Sequence, residues 1–348
     1  MNKQQRIAAE KSMSEWLSHP DELGKAPAKI ECAKEFDLHG LHYYIFRFKQ
    51  KLPGEWMLGV CGGYEDGSEE HCGHVYSRMT KYNDKTAVED AVEMVEAIRS
   101  YWMERARMQE AFQEKFKANT EFRTGAEIDA WKINSQFVRS ESRYFLTAGE
   151  TDCPSGRLFA ADPLAYLPGS QFFFTFEKEI PAGRYPVEVS ICRNSMTGIR
   201  MCTARLKIKD TEAVKFVRAE GTAEAISEEG TAGGFPVDAG MMTLCDAQTA
   251  GEYRAFIKKW YESHPDGNHY DDYFAAFFAE SEKMLPAYQR EGGDFIEWTN
   301  PDTGRKMVMI ASGFGDGFYC CYYGYDAGGD LCQIIVPMVD PSLFGDED

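Results

Sequence analysis

The chain has 348 residues, with 38 Lys+Arg against 56 Asp+Glu, a formal net charge of −18 and a pI near 4.9. Its 43% hydrophobic and 14% aromatic content is enough for packed cores, and the length suggests more than one domain, which excludes a mostly disordered chain. The acidic balance excludes a dedicated binder of nucleic acid or anionic membrane, since both need a basic face, and no run of about 18 apolar residues is present to span a bilayer.

Met1 to Arg6 leads into Ala-rich and charged residues without the apolar core of a secretory signal, so a cytoplasmic location is expected. A helix is expected over Ala8–Leu17, stopped at His19-Pro20. Three strands follow, Leu41–Lys49, Trp56–Cys61 and His74–Met79, each rich in aromatic or β-branched residues. From about Thr86 to Asn119, Val88, Ala91, Val92, Val95, Ile98, Trp102, Met108, Phe112 and Phe116 recur at mostly helical spacing and predict one long helix. Residues 1–120 therefore read as a small three-stranded α+β domain whose helix continues as a connector.

The second domain, residues 135–343, reads as β-rich. Arg157–Ala161, Gln171–Phe176, Arg184–Cys192, Arg200–Ile208 and Val214–Ala219 are short strand candidates separated by Gly, Pro and Asn turns. Two helices interrupt them. Ala250–Tyr261 has Thr249 and Glu252 in capping-box positions, and His269–Leu285 is strongly aromatic, as a helix facing a core would be. A meander of Arg305–Ala311, Phe318–Tyr323 and Leu331–Met338 closes the domain. The expected class is α+β: the N-terminal module, the connecting helix, then an antiparallel sandwich-like domain with two inserted helices.

The succession Ser155-Gly156-Arg157 with Asp162-Pro163, Pro181-Ala182-Gly183-Arg184-Tyr185-Pro186-Val187, Gly234-Phe235-Pro236-Val237-Asp238-Ala239-Gly240 with Asp246, then Gly313-x-Gly315-Asp316-Gly317-x-Tyr319 and Gly324-x-Asp326-x-x-Gly329 resembles the bacterial domain-of-unknown-function 4241 family. The resemblance spans roughly residues 150–340 and leaves the first 120 residues as an added module. It implies an intracellular bacterial protein and carries no activity, ligand or catalytic residue to transfer.

Candidate sites come from residue chemistry. Cys61, His71, Cys72 and His74 are potential zinc ligands within fourteen residues, with His39 and His42 able to join them in space. Their spacing fits no common zinc finger, and a loop whose histidines bond to backbone is the competing reading. Asp162, Asp238, Asp246, Asp316, Asp326 and Asp330 sit at turns and strand ends. Converging, they would suit a hard cation or an acid/base pair; separately, they suit turn and cap hydrogen bonds. Asp238, inside an apolar run, and its neighbours Asp246 and Asp316 are the catalytic candidates, while Asp162, Arg184 and Asp326 are ligand-binding candidates. Gly313–Gly317 lacks the Lys-Ser/Thr of a phosphate loop and reads as a tight turn. The ten cysteines are scattered and read as packed thiols, Cys153 before Pro154 being the more accessible.

No coherent catalytic constellation and no cofactor motif is present. The expected function is a non-enzymatic protein-binding module, adaptor-like or protective, whose acidic surface meets a basic protein partner. The alternative is a hydrolase or metal-dependent enzyme using Asp238 with Asp246 or Asp316.

Overall fold

The computed structural model describes residues 3–17, 29–49, 55–64, 76–140, 143–169, 172–194, 197–223 and 233–344. The chain forms two compact units, Met1–Phe112 and Gln113–Asp348. Among the described residues no helix is long and apolar enough to cross a membrane.

The first unit holds helix α1 (Lys3–Leu17), strands β1 (Lys29–Leu38), β2 (Leu41–Lys49), β3 (Trp56–Tyr64) and β4 (Tyr76–Lys81), and the start of α2 (Ala87–Thr124). The strands form one antiparallel sheet in sequential order. Its class is the expected α+β, with one strand more than the three expected. Strand β1 is half-buried along most of its length, and an edge strand of that kind keeps charged residues that mask it in the sequence. Strand β2 shows why its apolar run is nearly continuous. Tyr44, Phe46 and Phe48 turn to one face and meet Ala9, Met13 and Leu17 of α1, while Tyr43 and Ile45 turn to the other and meet Ala87, Ala91, Met94 and Val95 of α2. A strand buried on both faces loses the polar half of its alternation. Gly59 permits this packing, since a Cβ there would stand 2.9 Å from Met13 Cε. Further along α2 the expected stripe is not core: Trp102 is 46% and Met108 64% exposed. Periodicity marks a face, not what covers it.

The second unit is built from antiparallel strands, as expected. A seven-stranded sheet runs β5 (Glu127–Ile128), β11 (Lys215–Arg218), β18 (Tyr322–Tyr325), β19 (Leu331–Pro337), β10 (Gly198–Lys207), β9 (Gly183–Asn194), β6 (Arg143–Cys153). A six-stranded sheet runs β12 (Gly221–Ala223), β8 (Phe174–Phe176), β7 (Leu158–Ala161), β14 (Met241–Asp246), β16 (Lys306–Ala311), β15 (Phe295–Thr299). Strands β13 (Gly234–Val237) and β17 (Gly317–Cys320) form a separate pair. Strand β6 pairs with β9 and lies against β14, β15 and β16, so it joins the two larger sheets.

Three short or inserted helices complete this unit, α3 (Ala130–Asn134), α4 (Ala247–Ser263) and α5 (Ala275–Met284), with a last turn, α6, at Pro341–Phe344. Helix α4 starts earlier than the capping-box reading placed it, because Asp246 is the N-cap and its carboxylate accepts from Gln248 N. Thr249 instead donates to the Asp152 carbonyl. The aromatic segment opens as a π-helical turn, Tyr270–Phe274, before α5. Phe274 and Phe278 point into the core, where Tyr253, Phe256, Phe274 and Trp298 form a ring cluster, and Phe277 stays 43% exposed.

Candidate functional site

A cavity of about 620 Å³ in the second unit opens where three loops meet at one end of β14 and β16. Leu164 and Ala165 form one wall, Ala239 to Met241 with Gly315 a second, and Asn268 to Tyr270 with Arg290 to Asp294 a third. Its size falls within the roughly 300–1,000 Å³ of pockets that hold small organic ligands.

Two buried carboxylates hold these walls in place. Asp162 is 0% exposed. Its Oδ1 accepts from Leu164 N (2.8 Å) and Ala165 N (2.9 Å), and its Oδ2 from Asp238 N (2.9 Å) and Ala239 N (2.7 Å). One side chain thus staples the first wall to the second, and ionised oxygens are the strongest acceptors for such a task. Asp294, 1% exposed, closes the third wall. Its Oδ1 receives Arg290 Nε at 2.9 Å and Nη2 at 2.7 Å, and its Oδ2 receives Arg290 N at 2.6 Å. Gly293 is required in this loop: φ is +89°, and a Cβ would stand 2.2 Å from the Phe278 carbonyl.

The rim carries acid. Asp238 next to Ala239, Asp316 next to Gly315, Asp271 next to Tyr270, and Glu291 itself are exposed. None of the four has an ion-pair partner among the described residues, whereas Arg290 is held by Asp294. Burial first, and then the charges of Asp238, Asp162 and Asp316, raise the Tyr166 hydroxyl pKa. At the back of the cleft His269 lies 2.7 Å through Nδ1 from the Tyr261 hydroxyl. Burial holds its pKa below the ordinary histidine value against the pull of the Leu164 backbone and Asp162, so it is neutral at pH 7.

The other candidates lie elsewhere. Asp246 stands five residues along β14 from Met241, about 17 Å away at about 3.3 Å per residue. Its oxygens receive Gln248 N, Ser155 N and Ser155 Oγ, so it does not meet Asp238. Arg184 pairs with Asp152, Nε to Oδ1 at 2.7 Å. Asp326 accepts from Gly328 N, Asp330 N and Thr211 Oγ1 in its own turn, and these bonds lower its pKa. Asp330 pairs with Lys209.

Cys61 is fully buried in β3, while His71, Cys72 and His74 lie outside the described residues. His42 is bound to Asp37 (2.7 Å) and Glu35 (3.4 Å), and His39 to Glu96 (2.6 Å). Among the described residues no group of three or more His, Cys, Asp or Glu side chains could hold a metal ion. Cys153 is not the accessible thiol expected of a loop position: it ends β6 at 0% exposure, and burial pushes its pKa far up. The Gly313–Gly317 turn is confirmed, tied by Tyr319 Oη to the Ser312 and Gly315 carbonyls.

Residue chemistry alone missed Arg290, Asp294, Asn268 and His269 as wall residues. Gly292-Gly293-Asp294 was a usable turn signal; nothing in the sequence marks the others.

The family described as protein of unknown function (DUF4241) matches residues 151–336. Searches of the curated proteins and of the solved structures found no match.

Proposed function

We propose that this chain, which belongs to the DUF4241 family of proteins of unknown function, works by binding rather than by catalysis, and that the cleft of the second unit receives a cationic group from a basic protein partner. The observation carrying this reading is the division of labour among its acids. The buried carboxylates are consumed in fixing the walls, and the exposed ones, Glu291 in the lining and Asp238, Asp316 and Asp271 next to lining residues, have no ion-pair partner among the described residues. A preformed cleft with unpaired like charges at its rim gains most from an opposite charge, through steering and through relief of repulsion. No disulfide joins any two of the nine described cysteines, so a reducing, cytoplasmic setting belongs to the same proposal.

The test is titration calorimetry of the whole protein with an Arg/Lys-rich peptide at low and high salt. Binding that weakens with salt, and weakens at least about tenfold in the double variant Asp238→Asn/Asp316→Asn, is the expected outcome. Equal affinity in the variant, or no binding at low salt, would falsify this reading.

Acid/base catalysis by Asp238 with Asp316 is the second reading, favoured by the place of both in the chain beside cleft-lining residues, Ala239 and Gly315. Turnover in a panel of ester and amide substrates, abolished by either Asp→Asn change, would replace the first reading with the second.

A further inference from the structure

Strands β9 and β10 pair in antiparallel register with Cys192 opposite Arg200, and the register shifts by one residue between Met201 and Thr203. Cys202 is the extra residue of this β-bulge. The bulge is held from several sides. Thr203 N donates to Ser190 Oγ at 2.9 Å, while Ser190 Oγ and Thr203 Oγ1 donate to Gln136 Oε1 at 2.9 and 2.7 Å. The Cys202 carbonyl accepts from Met338 N at 2.7 Å and Val339 N at 2.9 Å. A bulge re-aims the side chain it carries. In a regular ladder the residue diagonal to Cys192 would stand about 7–8 Å away. Here the Cys202 sulfur shares hydrogen bonds with both the thiol and the backbone of Cys192, and it donates to the Arg200 carbonyl at 3.5 Å.

The pair is buried, Cys192 at 2% and Cys202 at 1% exposure, but it is not sealed. Cys192 stands in the wall of a cavity of about 230 Å³ whose lining also includes Ser140, Arg193 and Ala287, all three exposed to solvent. At about 30 Å³ per water this space admits a molecule the size of hydrogen peroxide. Cys202 is not in that wall. Burial first, and then the contact with Cys192, pushes the Cys202 thiol well above its ordinary pKa. A thiol kept protonated is a poor nucleophile, so the two sulfurs differ in role. Cys192 is the one that meets a reagent, and Cys202 is the one placed to close on it.

We propose that Cys192 and Cys202 form an oxidation site, at which a small hydroperoxide entering through this cavity converts the two thiols to a disulfide across the bulge. The Cys192 sulfur gives up its proton and attacks the peroxide O–O bond, which breaks to leave a sulfenic acid on Cys192 and a molecule of water or alcohol. The Cys202 sulfur then attacks the sulfenyl sulfur. The S–S bond forms, the S–O bond breaks, and the departing hydroxide takes the Cys202 proton as water. Two electrons pass from the thiol pair to the peroxide, and thiol exchange reverses the change. The site lies apart from the acidic cleft and does not rest on the function proposed for it.

The test uses the whole reduced protein, treated with graded hydrogen peroxide in native buffer, then alkylated under denaturing conditions and mapped by peptide mass spectrometry. The expected product is a Cys192–Cys202 cross-linked peptide, lighter by two hydrogen atoms and lost again on treatment with dithiothreitol. Half-exposed Cys32 reports within the same sample that the oxidant has acted. In Cys202→Ser, with an unchanged circular dichroism spectrum, Cys192 stops at the sulfenic acid and is captured by dimedone. Should that variant not fold, the map of the parent decides alone. Free Cys192 and Cys202 thiols after Cys32 is oxidised, a bridge formed only once urea has unfolded the protein, or a folded Cys202→Ser without a dimedone adduct on Cys192 each overturn the proposal.

Discussion

Replacing Asp162 with Asn is the sharpest test of how the cleft is held. The aspartate is fully buried and its two oxygens receive four backbone amides, two from each of two loops. An asparagine keeps one acceptor oxygen, which serves one pair, and turns an NH₂ donor toward the other pair. Two charge-assisted bonds at about 1.5–3 kcal/mol each set the upper scale of the loss. Ala165, Asp238 and Ala239 are exposed, so some released amides reach water, and the expected cost falls to about 2–4 kcal/mol. For a domain of this size that is a fall of roughly 5–15 °C in melting temperature. Urea unfolding followed by tryptophan fluorescence, beside a thermal scan, measures it. Asp238→Asn is the control, since that side chain is exposed and its carboxylate holds no ion-pair partner among the described residues, and it should change stability by no more than about 0.5 kcal/mol. If Asp162→Asn costs less than about 1 kcal/mol, or no more than the control, the stapling argument is wrong.

Other expectations follow from the same structure. Burial pushes up the Asp152 pKa, but Arg184 and the Lys306 amide outweigh it and leave the carboxyl below its ordinary value. Because the folded pKa is depressed, this stabilisation is complete above the unfolded value near 3.8 and is lost as pH falls through the folded one; stability measured from pH 7 downward should lose less in Asp152→Asn than in the parent. Burial pushes the Cys245 thiol up to about 12 and Cys321 well above its ordinary value. Alkylation at pH 8 read by mass spectrometry should therefore leave Cys153, Cys245 and Cys321 unlabelled until the protein unfolds, with half-exposed Cys32 reacting before them; native labelling of Cys245 would contradict this. Two glycines should respond with opposite signs. Gly293→Ala places a Cβ 2.2 Å from the Phe278 carbonyl at a left-handed φ and should cost at least about 1–3 kcal/mol. Gly251→Ala, inside α4 with nothing within 4 Å, should stabilise by about 0.5–1 kcal/mol.

Much of the architecture was legible because it follows from local chemistry. Strand β2, the meander of the second unit and the aromatic helix each declare themselves through side-chain periodicity and turn residues. Strand β1 did not, because an edge strand with half-buried charged residues has no apolar alternation to read. The stripe on α2 misled at Trp102 and Met108, since periodicity says which residues share a face and not whether anything packs on it.

The candidate site divides along the same line. Composition and spacing by themselves determined that the protein is acidic, that it has an α+β organisation, and that its aspartates stand at turns and caps. Only the tertiary structure decided which aspartates share a neighbourhood. Asp162 reaches Asp238 across 76 residues, while Asp246, much nearer to Asp238 in the chain, is carried away by the straight rise of β14. The same holds for charge. A net −18 is a sum over the chain, and only the structure separates the acids consumed in holding the cleft walls, Asp162 and Asp294, from those left exposed, Asp238 and Asp316.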